Sequence, residues 1–272
     1  MVASQADEVF KKFQLGKQKP TLIYELKDVS FVHLTPTQPG EKALKKCKKE
    51  LDKIKKYLEE GFFYSFGLDL TRSLQQKHLH PANEESELRG IDTRYVWNYN
   101  LCKVFIAQGM AVDWCRPLIQ GYVQVDEPLP NVSMALIARR RWRMGGTRYK
   151  ARGVDEDGNV ANHTEVEFAV MIEENNITDP ELLEKQKVVQ IRHVYSYVQV
   201  RGSMPFKWTQ EGHLNVTLHG SVDSTMRAFK LHFENLKKDY INGPILCMNL
   251  VQPNKGFEGT LQQRFRECME KA

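Results

Sequence analysis

The stretch Arg152–Asn162, RGVDEDGNVAN, indicates most about how this chain folds. Asp157–Asn159 (Asp-Gly-Asn) has the residue types of a tight turn and lies between strand-like runs. An EF-hand loop counted from Asp155 would need a Glu at its twelfth position, where Val166 stands. An aspartyl-phosphate enzyme would place its nucleophilic Asp at the end of a hydrophobic strand, whereas Asp155 follows Arg-Gly-Val. The stretch therefore predicts a hairpin tip and not a catalytic carboxylate.

A dense basic block leads into this turn. Seven basic residues and no acid occur from Arg139 to Arg152, namely Arg139, Arg140, Arg141, Arg143, Arg148, Lys150 and Arg152. Such a block could face phosphate groups, acidic lipids or nucleic acid. Trp142 and Tyr149 interleave the basic residues, as on a base-stacking platform. The strand pattern of the region explains them equally well, so nucleic-acid binding is the less favoured hypothesis.

Strand and helix patterns alternate along the rest of the chain and predict a mixed α+β or α/β fold. Predicted strands are Leu22–Leu34, Phe62–Phe66, Pro117–Val125, Ser133–Arg139, Ala161–Ile172, Val194–Val200 and Ile245–Val251, the last one buried. Predicted helices are Glu41–Glu60, a short stretch after Asn98, Val222–Ile241 and Gly256–Ala272. Predicted loops are Gln75–Gly90, Asp126–Asn131 and Glu173–Gln186.

The helix predicted over Glu41–Glu60 has a lysine-rich surface. Its apolar residues recur at steps of three and four and form one stripe: Leu44, Cys47, Leu51, Ile54 and Leu58. Eight lysines occupy other positions. A solvated helix face is the favoured interpretation, and a lipid-binding surface is the alternative.

Composition excludes several protein classes. The 272 residues are 41% hydrophobic and 27% charged with a net charge of +5, which is typical of a globular protein. No apolar run approaches the ~18 residues that span a bilayer, and the first residues lack the apolar core of a secretory signal. The five cysteines form no CxxC pair, which argues against a zinc site or disulfide framework and favours a reducing cytosol. His78 and His80 lack a predicted third ligand, so we expect no metal site.

Five strings in order resemble the Sac phosphoinositide phosphatases, the group that includes the Sac domain of synaptojanin. They are FFYSFGLDLTRSLQ (Phe62–Gln75), RYVWNYNL (Arg94–Leu101), IQGYVQV (Ile119–Val125), LIARRRWRMGGTRYKARGVDEDGNVANHTEVEF (Leu136–Phe168) and YVQVRGSMPFKWTQ (Tyr197–Gln210). The strings around Arg152–Asn162 and Arg201–Gln210 are long and specific. Glu165-Val166-Glu167-Phe168 departs from the family's usual E-T-E-Q, and Met204 and Val200 also depart, which leaves substrate preference open.

The resemblance implies an N-terminal Sac subdomain over 1–130 and the leading part of a cysteine-phosphatase-like α/β catalytic subdomain over 131–272. It implies hydrolysis of a phosphate monoester on phosphatidylinositol phosphates such as phosphatidylinositol 4-phosphate, without a metal or other cofactor. It also implies a protein that works in the cytoplasm, peripherally on endomembranes (endosome, Golgi or endoplasmic reticulum), with phosphoinositide lipids as its partners.

The family's nucleophile is a cysteine in a C-x-x-D-x-x-R-T loop, whose backbone N–H groups and Arg hold the phosphate. No cysteine of the chain is followed by an Arg six residues later, as that loop requires; the five are Cys47, Cys102, Cys115, Cys247 and Cys268. We therefore expect a Sac domain that stops before its nucleophile, with no catalytic residue of its own and no turnover alone. The alternative function is a non-catalytic module or scaffold that binds phosphoinositides or acidic membranes.

The resemblance and the charge pattern together indicate substrate- or membrane-binding candidates. These are Arg148, Lys150, Arg152, Arg201 and Lys207. A structural role is the alternative for two of them, because strand charges often pair across a sheet. In that case Arg148 and Arg152 would pair with Glu165 or Glu167.

Overall fold

The computed structural model describes residues 2–13, 21–31, 41–79, 90–108, 115–147, 150–174, 190–212, 215–240, 244–252 and 256–272. Nine strands and five α-helices fall in these ranges, and the fold is α+β, as the sequence predicts. The strands are β1 (Val2–Phe13), β2 (Thr21–Ser30), β3 (Phe62–Ser65), β4 (Ile119–Leu129), β5 (Val132–Arg140), β6 (Thr164–Glu174), β7 (Gln190–Arg201), β8 (Trp208–Glu211) and β9 (Asn215–Leu218). The helices are α1 (Glu41–Leu58), α2 (Leu74–Leu79), α3 (Tyr99–Ala107), α4 (Val222–Asp239) and α5 (Gly256–Lys271), with a 3-10 turn at Thr93–Tyr95.

Strands β1 to β7 form one sheet in which each strand is a neighbour of the next in the chain. The pairs β1/β2, β2/β3 and β3/β4 are antiparallel, with Tyr24 opposite Tyr64 and Phe63 opposite Ile119. Strands β8 and β9 form a separate antiparallel pair, with Trp208 opposite Leu218. The sequential order keeps most pairings local, as in a β-meander.

The chain divides into two compact units. The first contains Met1–Lys77, Pro81–Arg139 and Val166–Val198, and the second contains His78–His80, Arg140–Glu165 and Gln199–Ala272. These units are not the 1–130 and 131–272 subdomains that the family resemblance implies, and that division stays a prediction.

Each unit has its own apolar core, formed by residues that are fully or nearly fully buried. The largest cluster of the first unit consists of Ile23, Phe63, Leu70, Tyr95, Ile119, Val123 and Ile137. The largest cluster of the second unit consists of Phe206, Trp208, Met226, Phe229, Leu261 and Cys268. In the second unit, α4 begins at the N-cap Ser221, whose hydroxyl accepts a hydrogen bond from the backbone N–H of Ser224.

Three local predictions were wrong. Gln75–Gly90 was predicted as a loop, but α2 covers its first residues. The helix starts there because Ser73 and Gln76 cap each other, and each side chain accepts a hydrogen bond from the other residue's backbone N–H at 3.1 Å. Residues 80–89 lie outside the described part of the chain. Asp126–Asn131 was predicted as a loop, but β4 continues to Leu129 and a short turn, with Asn131 at φ +67°, leads into β5.

The third wrong prediction concerns Ile245–Val251, which was expected to be a buried strand. Residues 244–252 have no regular secondary structure, and Leu246 is 87% exposed. A strand requires hydrogen-bonded neighbours, and none of the described strands pairs with this segment. Its apolar pattern alone therefore does not make it a strand.

Candidate functional site

The two most specific strings of the sequence, Arg152–Asn162 and Arg201–Gln210, bind each other within the second unit. The backbone N–H of Gly153 donates to the hydroxyl of Ser203 at 2.8 Å. The N–H of Ser203 donates to the carbonyl of Ala161 at 2.9 Å, and the N–H of Ala161 donates to the carbonyl of Gly153 at 2.9 Å. The first two bonds connect both ends of the first string to Ser203 of the second, and the third connects the two ends of the first string to each other.

Two glycines make this close approach possible. Gly153 has φ +79°, and a Cβ there would lie 2.9 Å from the backbone oxygen of Trp208. A Cβ on Gly202 would lie 2.6 Å from Cγ2 of Val160. Only glycine fits the first position without strain, because its backbone is left-handed and the neighbouring atom belongs to the main chain.

Arg152, a predicted binding residue, is held by the second string. Its Nε donates to Oε1 of Gln210 at 2.9 Å, and its guanidinium lies over the Trp208 ring, 5.2 Å from the centroid. An arginine over an indole ring is a favourable cation–π contact. The side chain therefore contributes to joining the two strings, and it is half-buried.

Asp155 builds the predicted hairpin tip. Val154 and Val160 form an antiparallel bridge, and Oδ1 of Asp155 accepts the backbone N–H groups of Asp157 (3.0 Å) and Asn159 (2.8 Å). Burial alone would raise the pKa of Asp155, but the hydrogen bonds from Asn159 and the charge of Arg143 lower it overall. Its carboxylate thus serves the turn, as the sequence predicts.

The hairpin tip packs against α4. The carbonyl of Gly158 lies 3.0 Å from Nδ1 of His232, and a Cβ on Gly158, which has φ +80°, would lie 2.7 Å from the backbone N of His232. Burial and, to a smaller extent, the nearby charge of Arg141 lower the pKa of His232 to about 4. The imidazole is therefore neutral at pH 7.

Three arginines of the basic block are paired with acids from other parts of the sequence. Arg139 is buried and pairs with buried Glu167 at 2.8 Å in the first unit. In the second unit Arg141 pairs with Asp239 at 2.8 Å, and Arg143 pairs with Asp155 at 2.9 Å. Glu167, offered by the sequence as a partner for Arg148 or Arg152, thus pairs with Arg139. These three pairs reduce the positive charge that the sequence places in the basic block.

The five predicted binding residues have different environments. Lys150 and Arg201 are exposed. Lys207 is partly exposed, and its Nζ pairs with Oε1 of Glu156 at 2.5 Å. Arg152 is held as described above, and Arg148 lies outside the described residues. Whether any of them binds substrate or membrane stays a prediction.

Residues 3–272 match the family model described as the SacI homology domain. The chain belongs to this family. Among curated relatives of this SacI homology domain, the phosphatidylinositide phosphatase SAC2 of Danio rerio is 29% identical over 297 residues, covering 91% of the chain and 25% of the relative. The phosphatidylinositol-3-phosphatase SAC1 of Saccharomyces cerevisiae is 35% identical over 220 residues, covering 76% of the chain and 32% of the relative.

A plant relative gives similar values. The phosphoinositide phosphatase SAC6 of Arabidopsis thaliana is 33% identical over 220 residues, covering 77% of the chain and 33% of the relative. The chain therefore spans between about a quarter and a third of the length of these three relatives.

Three of the five cysteines of this SacI homology domain, Cys102, Cys247 and Cys268, do not have the environment of an attacking thiolate. Cys102 is buried, and burial, together with a hydrogen bond to Cys115, raises its pKa to about 12. Burial also raises the pKa of Cys247 and of Cys268. Thiol nucleophiles need the opposite shift, because the thiolate is the reactive form.

Buried charges in the first unit were not anticipated from the sequence. Glu167 accepts the backbone N–H of Leu74 and the hydroxyl of Ser196, both at 2.7 Å, in addition to the Arg139 guanidinium. The Nζ of Lys77 donates to the carbonyl of Asp69 at 2.5 Å, and burial lowers the pKa of Lys77 to about 8. The sequence did contain a signal for buried acids, because Glu165 and Glu167 are two residues apart, and so on the same face, of a strand that otherwise has an apolar pattern.

The described residues contain neither a cluster of metal ligands nor a membrane-spanning helix. No group of three or more His, Cys, Asp or Glu side chains in that part of the chain is arranged to hold a metal ion. Within the same residues, no helix has the length and apolar content to cross a bilayer.

Proposed function

We propose that this SacI homology domain belongs to a phosphoinositide phosphatase, which removes a phosphate monoester from phosphatidylinositol phosphates such as phosphatidylinositol 4-phosphate. The observation that carries the proposal is the interlocked pair of strings at Gly153, Ala161 and Ser203, within a chain that matches the SacI family over 3–272. The names of the relatives agree with this reaction. The proposed setting is a membrane surface, because the substrates are lipids.

Within this function we assign the chain to binding and scaffolding and not to nucleophilic attack. No cysteine among the 272 residues is followed by the spacing of a C-x-x-D-x-x-R-T loop. The exposed cations Lys150 and Arg201 are the proposed contacts for anionic headgroups. Arg152 and Lys207 are proposed to support them, since each already contacts a neighbouring side chain.

The reaction is tested with the protein from the full open reading frame of the transcript, assayed for phosphate release from vesicles that contain one phosphoinositide isomer at a time. Release from at least one isomer is expected without added metal. Absence of release from every isomer would overturn the proposal. The 272-residue chain alone is expected to release no phosphate, and measurable turnover by it would contradict the assignment of the nucleophile to another part of the protein.

A second candidate function is a non-catalytic module that binds acidic membranes through the exposed cations. It is favoured by the exposure of Lys150 and Arg201. Flotation of the 272-residue chain with vesicles that contain phosphatidylinositol 4-phosphate should show a gain in binding that falls as salt rises. The double variant Lys150→Gln/Arg201→Gln should reduce that gain, while Lys237→Gln/Lys238→Gln, two exposed lysines of α4, should not.

We also propose a cytoplasmic location on the surface of endomembranes such as the endosome, Golgi or endoplasmic reticulum. This follows from the lipid substrates of the proposed reaction. A fluorescent fusion of the full protein should overlap with one of these organelles, and an even cytosolic distribution would count against it.

A further inference from the structure

A segment of α1, residues 45–50, is exposed on all sides of the helix. Every residue from 45 to 50 is exposed, although Cys47 belongs to the apolar stripe of the helix. The contacts of α1 with its own unit come from its C-terminal half, where Leu58 packs against the cluster that contains Phe62, and Lys55 pairs with Asp28 at 2.6 Å. Residues 45–50 of this helix therefore lie beyond the part of α1 that packs on its own unit.

The exposed apolar side chains of α1 continue beyond Cys47. Ile54 is 46% exposed, and Tyr57, one turn further, is also exposed. The sequence pattern predicts that Cys47 and Ile54 face the interior with Leu51 and Leu58. In the structure Leu51 and Leu58 are only half-buried, so the stripe is incompletely covered.

The α1 helix carries a large excess of positive charge. The helix carries eight lysines and three carboxylates, a net charge of +5, which equals the formal charge of the whole chain. Lys53 pairs with Glu50 at 2.9 Å and Lys55 with Asp28. No carboxylate among the described residues pairs with Lys46, Lys48 or Lys49. These lysines form an exposed cluster next to exposed apolar side chains.

We propose that α1 is a docking surface for an anionic lipid bilayer, with its lysines on the headgroups and with Cys47 and Ile54 at the level of the acyl boundary. A helix in the plane of a bilayer needs this combination of many lysines, low mean hydropathy and one apolar stripe. The lysines attract any anionic headgroup, so the surface does not require a phosphoinositide. The inference relies on the proposed function only in placing the protein at a membrane.

The composition of α1 favours lipid over nucleic acid as the partner. All of its cations are lysines, whereas arginine is the residue that makes bidentate contacts with phosphates and bases. Proteins that bind single-stranded nucleic acid place several aromatic side chains along a basic groove, and α1 has one aromatic residue, Tyr57. Exposed aliphatic side chains between lysines have a use at a bilayer surface and none on a phosphate backbone.

The test uses the 272-residue chain and vesicles of phosphatidylcholine with or without 30 mol% phosphatidylserine, free of phosphoinositide. The test variant is Lys45→Gln/Lys46→Gln/Lys48→Gln/Lys49→Gln. The matched control replaces four exposed lysines elsewhere, in α3 and α4, as Lys103→Gln/Lys230→Gln/Lys237→Gln/Lys238→Gln. Circular dichroism and the midpoint of thermal unfolding verify that both variants fold, as expected for exposed positions.

A lysine near an anionic surface contributes about fivefold to the partition coefficient, and salt screening reduces this value. We therefore expect the test variant to lose at least about tenfold in binding to phosphatidylserine vesicles, and the control variant to lose less than about threefold. Ile54→Ser should reduce binding by about a further twofold to fivefold through its smaller apolar side chain.

Three results would overturn this inference. One is absence of phosphatidylserine-dependent binding by the unsubstituted chain, and another is an equal loss in the test and control variants. The third is binding of a single-stranded oligonucleotide that depends on the four α1 lysines, without binding to vesicles, which would assign the helix to nucleic acid. None of these results involves phosphate release, so the proposed phosphatase function is tested separately.

Discussion

Replacing Arg139 by Met should destabilise the protein far more than the same replacement at Arg143. Arg139 has no exposed surface and Glu167 is 1% exposed, with Nη2 and Oε2 2.8 Å apart. Without the guanidinium, Glu167 keeps two hydrogen bonds, from the Leu74 N–H and the Ser196 hydroxyl. Its buried carboxylate loses the cation that pairs with it and keeps the electrostatic interaction with Lys77. Breaking a buried pair in this way costs about 3–5 kcal/mol.

Arg143 is a matched control because its side chain also forms an ion pair, with Asp155, but is 49% exposed. Water and salt screen such a pair, so Arg143→Met should cost about 1 kcal/mol or less. Urea unfolding of both variants, followed by circular dichroism, measures the difference as a shift in the transition midpoint. The reasoning is refuted if Arg139→Met costs less than about 1 kcal/mol or no more than Arg143→Met.

A second substitution separates the lost charge from the lost packing. Glu167→Gln in the Arg139→Met background removes the carboxylate charge that has lost its paired cation, and it keeps an oxygen for the Leu74 N–H and the Ser196 hydroxyl. The double variant should therefore be more stable than the sum of the two single effects predicts, with a coupling of about 1–3 kcal/mol. Strict additivity would indicate that Arg139 acts only by filling space.

Other perturbations test the hairpin tip and the buried titratable groups. Gly158→Ala should lower the free energy of unfolding by about 2 kcal/mol or more, because the new Cβ meets the backbone of α4. The control Gly212→Ala, at φ +62° with no atom within 4 Å of the new Cβ, should lower it by only about 1 kcal/mol. Equal losses of stability in urea unfolding would contradict the contact between Gly158 and α4. Between about pH 8 and 10.5 the unfolded chain still binds the Lys77 proton that the folded chain has released. The free energy of unfolding should therefore rise with pH over this range, by up to about 3 kcal/mol more in the unsubstituted protein than in the Lys77→Met variant. A parallel pH dependence in both proteins would exclude Lys77 as the cause. The depressed pKa of His232 contributes stability that is fully present above about pH 6.5 and is lost as pH falls toward 4. His232→Gln, which can still donate to the neighbouring carbonyl, should therefore lose less stability over this pH range in thermal unfolding scans. If stability falls with pH as steeply in the variant as in the unsubstituted protein, other groups cause the loss.

The sequence predicted the elements whose formation depends on neighbours in the chain. The stripe with steps of three and four over Val222–Ile241 corresponds to α4, and the Asp-Gly-Asn turn after Asp155 corresponds to the hairpin tip. The α2 helix was missed because its signal, the reciprocal capping of Ser73 and Gln76, is only two side chains long. The strand assigned to Ile245–Val251 was wrong because an apolar run does not specify a partner strand.

The candidate site was predicted less completely. The sequence identified the two specific strings and named Arg152 and Lys207, but it did not show that the strings bind each other through Gly153 and Ser203. It also did not show that Arg152 lies over Trp208. Spacing along the chain contains no direct information on which of two distant segments come together.

The family of this protein, its mixed α and β class and the positions of α1, α4 and the hairpin tip follow from the sequence by itself, because periodicity and turn chemistry act over a few residues. The state of its charges was decided only by the tertiary structure. Arg139 and Glu167 are 28 residues apart and Arg141 and Asp239 are 98 apart, yet each pair is in contact. Whether a lysine or arginine is a binding group or a structural one depends on the acid and the burial that folding brings to it, and these come from distant parts of the chain.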